Sequence, residues 1–224
     1  MLFRSGMAGF TGSFPVSGSS TQSPITIKPK ISNQLKRNVS VMIPDSTVFM
    51  YNRKPIGGSI SSISYNFSYA SPRNISALRT FPGGGGTLIT DAFDRERKKI
   101  ATPQSPFFFA SSGWMTLEMK AGRQVVNGFS QPIDLIMPIE DSLINPETKT
   151  RFRLGDTIRI WSLDEKAMWN EESIAIVENS SEGLIAKMKI THLSTWNFDS
   201  KINPCTLTIS YKNLGSQFWA YTRF

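Results

Sequence analysis

Short stretches in which apolar and polar side chains alternate recur along almost the whole chain, each closed by turn residues. A period of two puts one side-chain set on one face of an extended strand, whereas a helical face repeats every ~3.6 residues. Asn38-Val-Ser-Val-Met-Ile43 sets Val39, Val41 and Ile43 on one face. Trp114-Met-Thr-Leu-Glu-Met119 sets Trp114, Thr116 and Glu118 against Met115, Leu117 and Met119, and Thr157-Ile-Arg-Ile-Trp161 alternates as cleanly. Further strands are expected within Pro24–Lys28, Ile60–Tyr69, Pro132–Ile139, Ile174–Val177 and Leu184–Ile190. Between them, Asn127-Gly128 is a hairpin signal because both residues tolerate positive φ. In Asn145-Pro-Glu-Thr148 the proline presets φ for a turn. Only Asp91–Lys99 has helical character, and it is short enough to be a single turn or a hairpin tip closing on Ile100. The pattern predicts an all-β, antiparallel fold with little helix, either a β-sandwich or two stacked β-sandwich-like units.

Composition agrees. Of 224 residues, 39% are hydrophobic and 19% charged, with Ser, Thr, Asn and Gly filling the gap, which favours turn-rich β-structure over helical bundles. The chain is long enough for a substantial core. Its expected organisation is a lead-in or end of a preceding repeat over 1–38, a first β-unit over 39–82, a second over 83–200, and the truncated start of a further repeat over 201–224. Gly83–Gly86 lacks the Lys-Ser/Thr that a phosphate cradle requires and reads as a flexible turn between units. No apolar run approaches the ~20 residues that span a bilayer. The N-terminus lacks the apolar segment of a signal peptide, which fits either a cytosolic protein or an internal piece of a longer secreted chain.

The net charge of +8 is spread over three groups: Lys28, Lys30, Lys36 and Arg37; Arg95, Arg97, Lys98 and Lys99; and Lys149, Arg151 and Arg153. They read as solvated loops, with an acidic glycan as the alternative partner. No nucleic-acid-binding motif accompanies them, so nucleic acid is not expected.

The last third concentrates the unusual residues: Trp161, Trp169, Trp196 and the chain's single histidine, His192. A hydrolase built on His192 would need Ser194 or Cys205 as nucleophile and Asp199 to orient the ring. No nucleophile elbow surrounds either candidate, so these residues are expected to tie a β-corner. One histidine and one cysteine fall short of a zinc site. Asp156, Asp164, Glu165, Glu171, Glu172 and Asp199 crowd the turns of one subregion and leave calcium possible, without EF-hand spacing. The tryptophans could stack on a sugar, although core packing is their expected fate. Asn38, Asn66, Asn74 and Asn179 each open an Asn-x-Ser glycosylation pattern. Cys205 has no internal partner and reads as a free thiol or as half of a pair completed elsewhere.

Taken together, several of these pieces resemble a module of the cartilage intermediate layer proteins, the astroprincin family and bacterial surface proteins with carboxypeptidase-regulatory-like repeats. Asn145, Pro146 and Thr148 match that module's Asn-Pro-x-Thr turn, and Gly155, Asp156 and Ile158 its Gly-Asp-x-Ile strand. Asp164 and Glu165 match an acidic hairpin, and Trp169, Glu171 and Glu172 a Trp-x-Glu-Glu-Gly element. His192, Ser194, Trp196, Asn197 and Asp199 match a closing His-Phe-Ser-x-Trp-Asn-x-Asp. Ser173 and Leu193 depart from the pattern, replacing a glycine and an aromatic. The resemblance covers roughly residues 40–200 and implies that Pro204–Tyr211, with Cys205, opens a further repeat. It also implies a non-catalytic structural or adhesive module of a larger secreted or cell-surface protein. Its partners would be other extracellular proteins or glycans. A carbohydrate-binding module using tryptophans and basic loops is the alternative, and a hydrolase using His192 the third reading.

Overall fold

In the computed structural model, residues 8–28, 39–72, 74, 81–82 and 88–204 are described; they form strands and turns, with no helix among them. The first six strands are β1 (Ala8–Pro15), β2 (Ile25–Ile27), β3 (Ser40–Ile43), β4 (Phe49–Tyr51), β5 (Lys54–Pro55) and β6 (Ser62–Ala70). Next come β7 (Ala92–Phe93), β8 (Lys99–Ala101), β9 (Phe108–Ala121), β10 (Gln124–Val126) and β11 (Gly128–Pro138). The last four are β12 (Thr157–Leu163), β13 (Trp169–Ser180), β14 (Gly183–His192) and β15 (Thr195–Ile202). Hydrogen bonding runs β1-β6-β9-β15-β12-β13-β14-β11-β3-β2, with β10, β4, β5, β7 and β8 attached at the sides. Every pairing is antiparallel except a short parallel contact of β13 with β7. The all-β, antiparallel expectation is what the molecule adopts.

Two layers arise because β13 turns a corner. Trp169–Ile176 pairs with β12, and Val177–Ser180 pairs with β14. A bulge opposite Ile160 and Trp161 leaves Glu172 as the extra residue, since Ile160 faces Ser173 and Trp161 faces Glu171. Bulges bend a strand and increase its twist, which is how one strand comes to serve both layers. Strands from the expected lead-in, first unit and second unit are neighbours here: β6 lies between β1 and β9, and β3 pairs with β11.

The alternation read from the sequence fills the space between the layers. Met115, Leu117 and Met119 of β9, Ile158 and Ile160 of β12, and Trp196 and Phe198 of β15 meet Leu135 and Met137 of β11 and Met188 and Ile190 of β14. The opposite face of the β9–β15–β12–β13 layer is also covered at one end. Trp114, Trp161 and Trp169 pack there with Phe81, Ile89, Ala92, Ala101 and Phe107, joined by the partly buried Phe109. Phe81 stacks on Trp169 with ring centroids 5.4 Å apart, and Phe109 meets Trp161 edge-on at 5.1 Å. The outer face is thus capped by aromatics around Trp114, Trp161 and Trp169, while at its other end Arg159, Ile174 and Ile176 meet solvent.

Two local readings resolve or change. Asp91–Lys99 is a hairpin in which Asp94 caps the turn by accepting from the Glu96 and Lys98 amides, and β7 and β8 are its arms. The tight turn near residue 127 sits five residues earlier than the Asn-Gly signal: β9 and β10 pair at Ala121↔Gln124 across Gly122-Arg123, and Gly122 supplies the positive φ of 60°. Asn127 is instead a junction. Its amide donates to Met50, its carbonyl accepts from Leu193, and its side chain exchanges hydrogen bonds with Asn52. Those tertiary partners outweigh the local turn preference.

Candidate functional site

One end of the sandwich gathers the turn between β12 and β13, the corner between β14 and β15, the β7–β8 hairpin and the Asn127 junction. They enclose a cleft of about 310 Å³ lined by Arg97, Asn127, Ser162, Asn170, Glu172, His192 and neighbouring loop residues. The β12–β13 turn is fixed by Asp164, whose Oδ1 accepts from the Lys166 and Met168 amides. On β12 the inward-facing positions run Ile158, Ile160 and then Ser162, so the apolar stripe ends in a hydroxyl at the cleft. The Ser162 hydroxyl donates to Glu172 Oε1 at 2.6 Å. His192 Nε2 lies 3.7 Å from the same oxygen, and Arg97 Nη2 lies 4.0 Å from it. Arg97 reaches the cleft from a left-handed backbone position, φ 63°, and its Nη1 donates to Asn170 Oδ1 at 2.7 Å.

Electrostatically the cleft centres on Glu172. The neighbouring imidazole, followed by the Ser162 hydroxyl and the Arg97 charge, holds its carboxyl below the ordinary value, against the opposite pull of burial. The His192 ring lies 4.9 Å from that of Trp196, tilted 39°, with its side chain 42% exposed. Ser194 shares the corner, but its hydroxyl donates to the carbonyls of Leu163 and Thr195.

Asp199 belongs elsewhere. Alternation along β15 sends Trp196 and Phe198 inward, and Asn197 and Asp199 to the covered outer face, where both are fully buried. There Asp199 Oδ1 accepts from the Ser112 amide at 3.2 Å, the Asn197 side chain donates to its Oδ2, and the Ser111 hydroxyl bonds Asn197. These contacts hold a bulge in β9, at Ser112 and Gly113, where Gly113 has φ 139°. Trp161 closes the cluster by donating its indole N–H to the Asp199 carbonyl at 3.2 Å. Burial pushes the Asp199 carboxyl up to about 8, although the Ser111, Asn197 and Ser112 hydrogen bonds pull the other way.

The residues singled out in the sequence thus divide between two places. Glu172, His192 and Ser194 meet at the cleft, whereas Asn197, Asp199 and Trp161 form the buried bulge cap. Glu171 lies on the outer face, 4% exposed at its side chain, and pairs with Arg159 at 2.7 Å and Arg95 at 3.7 Å. Trp161, Trp169 and Trp196 are buried, so core packing, their expected fate, holds, and the alternative of a tryptophan platform for a sugar is overturned. Of the acidic residues considered for calcium, Asp164, Glu165 and Glu172 line the cleft, whereas Asp156, Glu171 and Asp199 lie apart from it. Asp156 accepts from Asn145 and from the Arg153 amide, tying the Asn-Pro turn to the strand after it. Among the described residues no group of three or more His, Cys, Asp or Glu could hold a metal ion. Of the glycosylation candidates, Asn179 is exposed, whereas Asn66 sits mid-strand on β6 and donates to Glu118. Asn74 is partly buried, and Asn38, Cys205 and Gly83–Gly86 lie outside the described residues.

Arg97, Ser162 and Asn170 were not singled out as site residues. Ser162 had a signal, a polar residue on the apolar stripe of β12, and Arg97 stood in a basic group weighed for an acidic glycan; Asn170 had none, and the meeting of Arg97 with Glu172 is supplied by a hairpin far away in sequence. No protein-family model matches this chain, and neither a curated protein nor a solved structure does. Its class therefore rests on the architecture: an all-β, two-layer antiparallel protein with a polar cleft at one end.

Proposed function

We propose that this chain is a non-catalytic structural or adhesive module of a larger secreted or cell-surface protein, acting on other extracellular proteins or glycans. One observation carries the reading: among the described residues, the groups that a His192 hydrolase would need are held apart. The imidazole faces Glu172 and Trp196, the Ser194 hydroxyl is spent on backbone carbonyls, and Asp199 is sealed on the other face of β15. A nucleophile and its base must come within hydrogen-bond reach, with the base oriented by a third group. In this protein the third group orients a bulge.

The test uses the full chain and p-nitrophenyl acetate. Hydrolysis by the wild type and by His192→Ala is expected to be the same, while the variant melts lower because the Trp196 ring and Glu172 lose a neighbour. Turnover that saturates with ester and vanishes in His192→Ala would overturn the reading.

A further inference from the structure

The cleft has hydrogen-bonding capacity that the fold leaves unused. All three contacts to Glu172 converge on Oε1, and among the described residues none falls on Oε2. Arg97 donates to Asn170 through Nη1, while its Nη2, 4.0 Å from Glu172, lies beyond hydrogen-bond reach and 66% of its side chain is open. His192 directs Nε2 at Glu172 and presents a half-exposed ring beside Leu193. An acceptor, a fork of donors and an imidazole therefore converge on one space, next to the apolar edges of Leu163 and Leu193. The volume, about 310 Å³, is at the lower end of small-molecule sites.

The charges narrow the ligand. Arg97 and His192 already lie against Glu172, and Asp164 and Glu165 line the same cleft, so an anion would meet carboxylates and a cation would meet the guanidinium. A hydroxyl group donates and accepts at once, so neighbouring hydroxyls satisfy Oε2 and the free guanidinium N–H groups without disturbing that pairing. The apolar edges suit the C–H face of a sugar ring. We propose that this cleft, and not the buried tryptophans, binds a neutral polyhydroxylated ligand, a sugar residue of a glycan. The site deepens the adhesive reading and rests on it.

The experiment is an array of neutral mono- and oligosaccharides, with sulfated and sialylated glycans alongside, probed with the full chain free of any histidine tag. A neutral hit is expected, with Glu172→Gln weakening it by about tenfold or more, the loss of a charged hydrogen bond. Because the chain has one histidine, titrating the hit sugar into the wild type should also move a single imidazole NMR signal, a readout that needs no variant. Failure of every neutral sugar overturns the glycan site and leaves the scaffold reading standing. Binding only to sulfated glycans, abolished by salt, overturns it in favour of the basic loops. A neutral hit that leaves the His192 signal unmoved and survives Glu172→Gln places the site elsewhere. Hydrolysis dependent on His192 would instead remove the non-catalytic reading beneath it.

Discussion

Replacing Asp199 by Asn should make the protein more stable at pH 8 and remove most of a pH dependence that wild type carries. In the folded chain the carboxyl is fully buried and raised from 3.8 to about 8. Between those values the native state keeps a proton that the unfolded chain has released. Stability is then greatest below about pH 4, falls as pH rises towards 8, and levels off beyond it. Each unit corresponds to about 1.4 kcal/mol, so the decline from pH 5 to pH 8 is on the order of 4 kcal/mol. That is a large share of the roughly 5–15 kcal/mol holding a typical domain together. Asparagine has the same shape, keeps an acceptor for the Ser112 amide and does not titrate; its NH2 takes the place of Oδ2, so the Asn197 amide must turn over to accept from it and donate to the Ser111 hydroxyl. Urea unfolding of both proteins at pH 5 and pH 8 isolates the effect, because every other titrating group is common to the two. The reasoning fails if both lose the same stability between those pH values, since the carboxylate would then be solvated in the folded state.

Two further substitutions probe the same layer. Gly113→Ala places a Cβ 2.9 Å from the Met137 sulfur and 3.2 Å from the Tyr69 ring, at φ 139°, so a loss of about 2 kcal/mol or more is expected in denaturant titration; an unchanged midpoint would mean that the β9 bulge is not formed. Trp161→Ala empties a fully buried site and should cost about 3–5 kcal/mol, whereas Trp161→Phe should cost less, having lost mainly the hydrogen bond to the Asp199 carbonyl; equal effects of the two would argue against the aromatic cluster.

Much of the strand pattern could be read directly. The two faces of Trp114–Met119 separate as the alternation says, with Met115, Leu117 and Met119 in the inter-layer core and Trp114 in the aromatic cluster. The Asn145 turn forms as its proline suggests, and Asn145 reaches Asp156 across the loop. The cleft was half legible: Glu172, His192 and Ser194 stood out by type, but their partner Arg97 lies 75 residues before Glu172 on a hairpin whose sequence suggested a helical turn as readily. Asp199 reads in the sequence as tying a β-corner with His192 and Ser194; it ties the β9 bulge instead, because alternation along β15 puts it on the face opposite Trp196.

Period-two patterning and turn residues depend only on neighbouring positions, so the chain's letters determine its strands, their sides and its all-β class. Layer assignment depends on long-range pairing instead. The bulge at Glu172 decides that β13 serves both layers, and long-range packing of Phe81, Ile89, Ala92, Ala101 and Phe107 decides that the outer tryptophans are covered. Burial then sets the chemistry, giving Asp199 a raised proton affinity in a sealed, hydrogen-bonded enclosure and leaving Glu172 ionised at a polar cleft; no local pattern encodes that difference in surroundings.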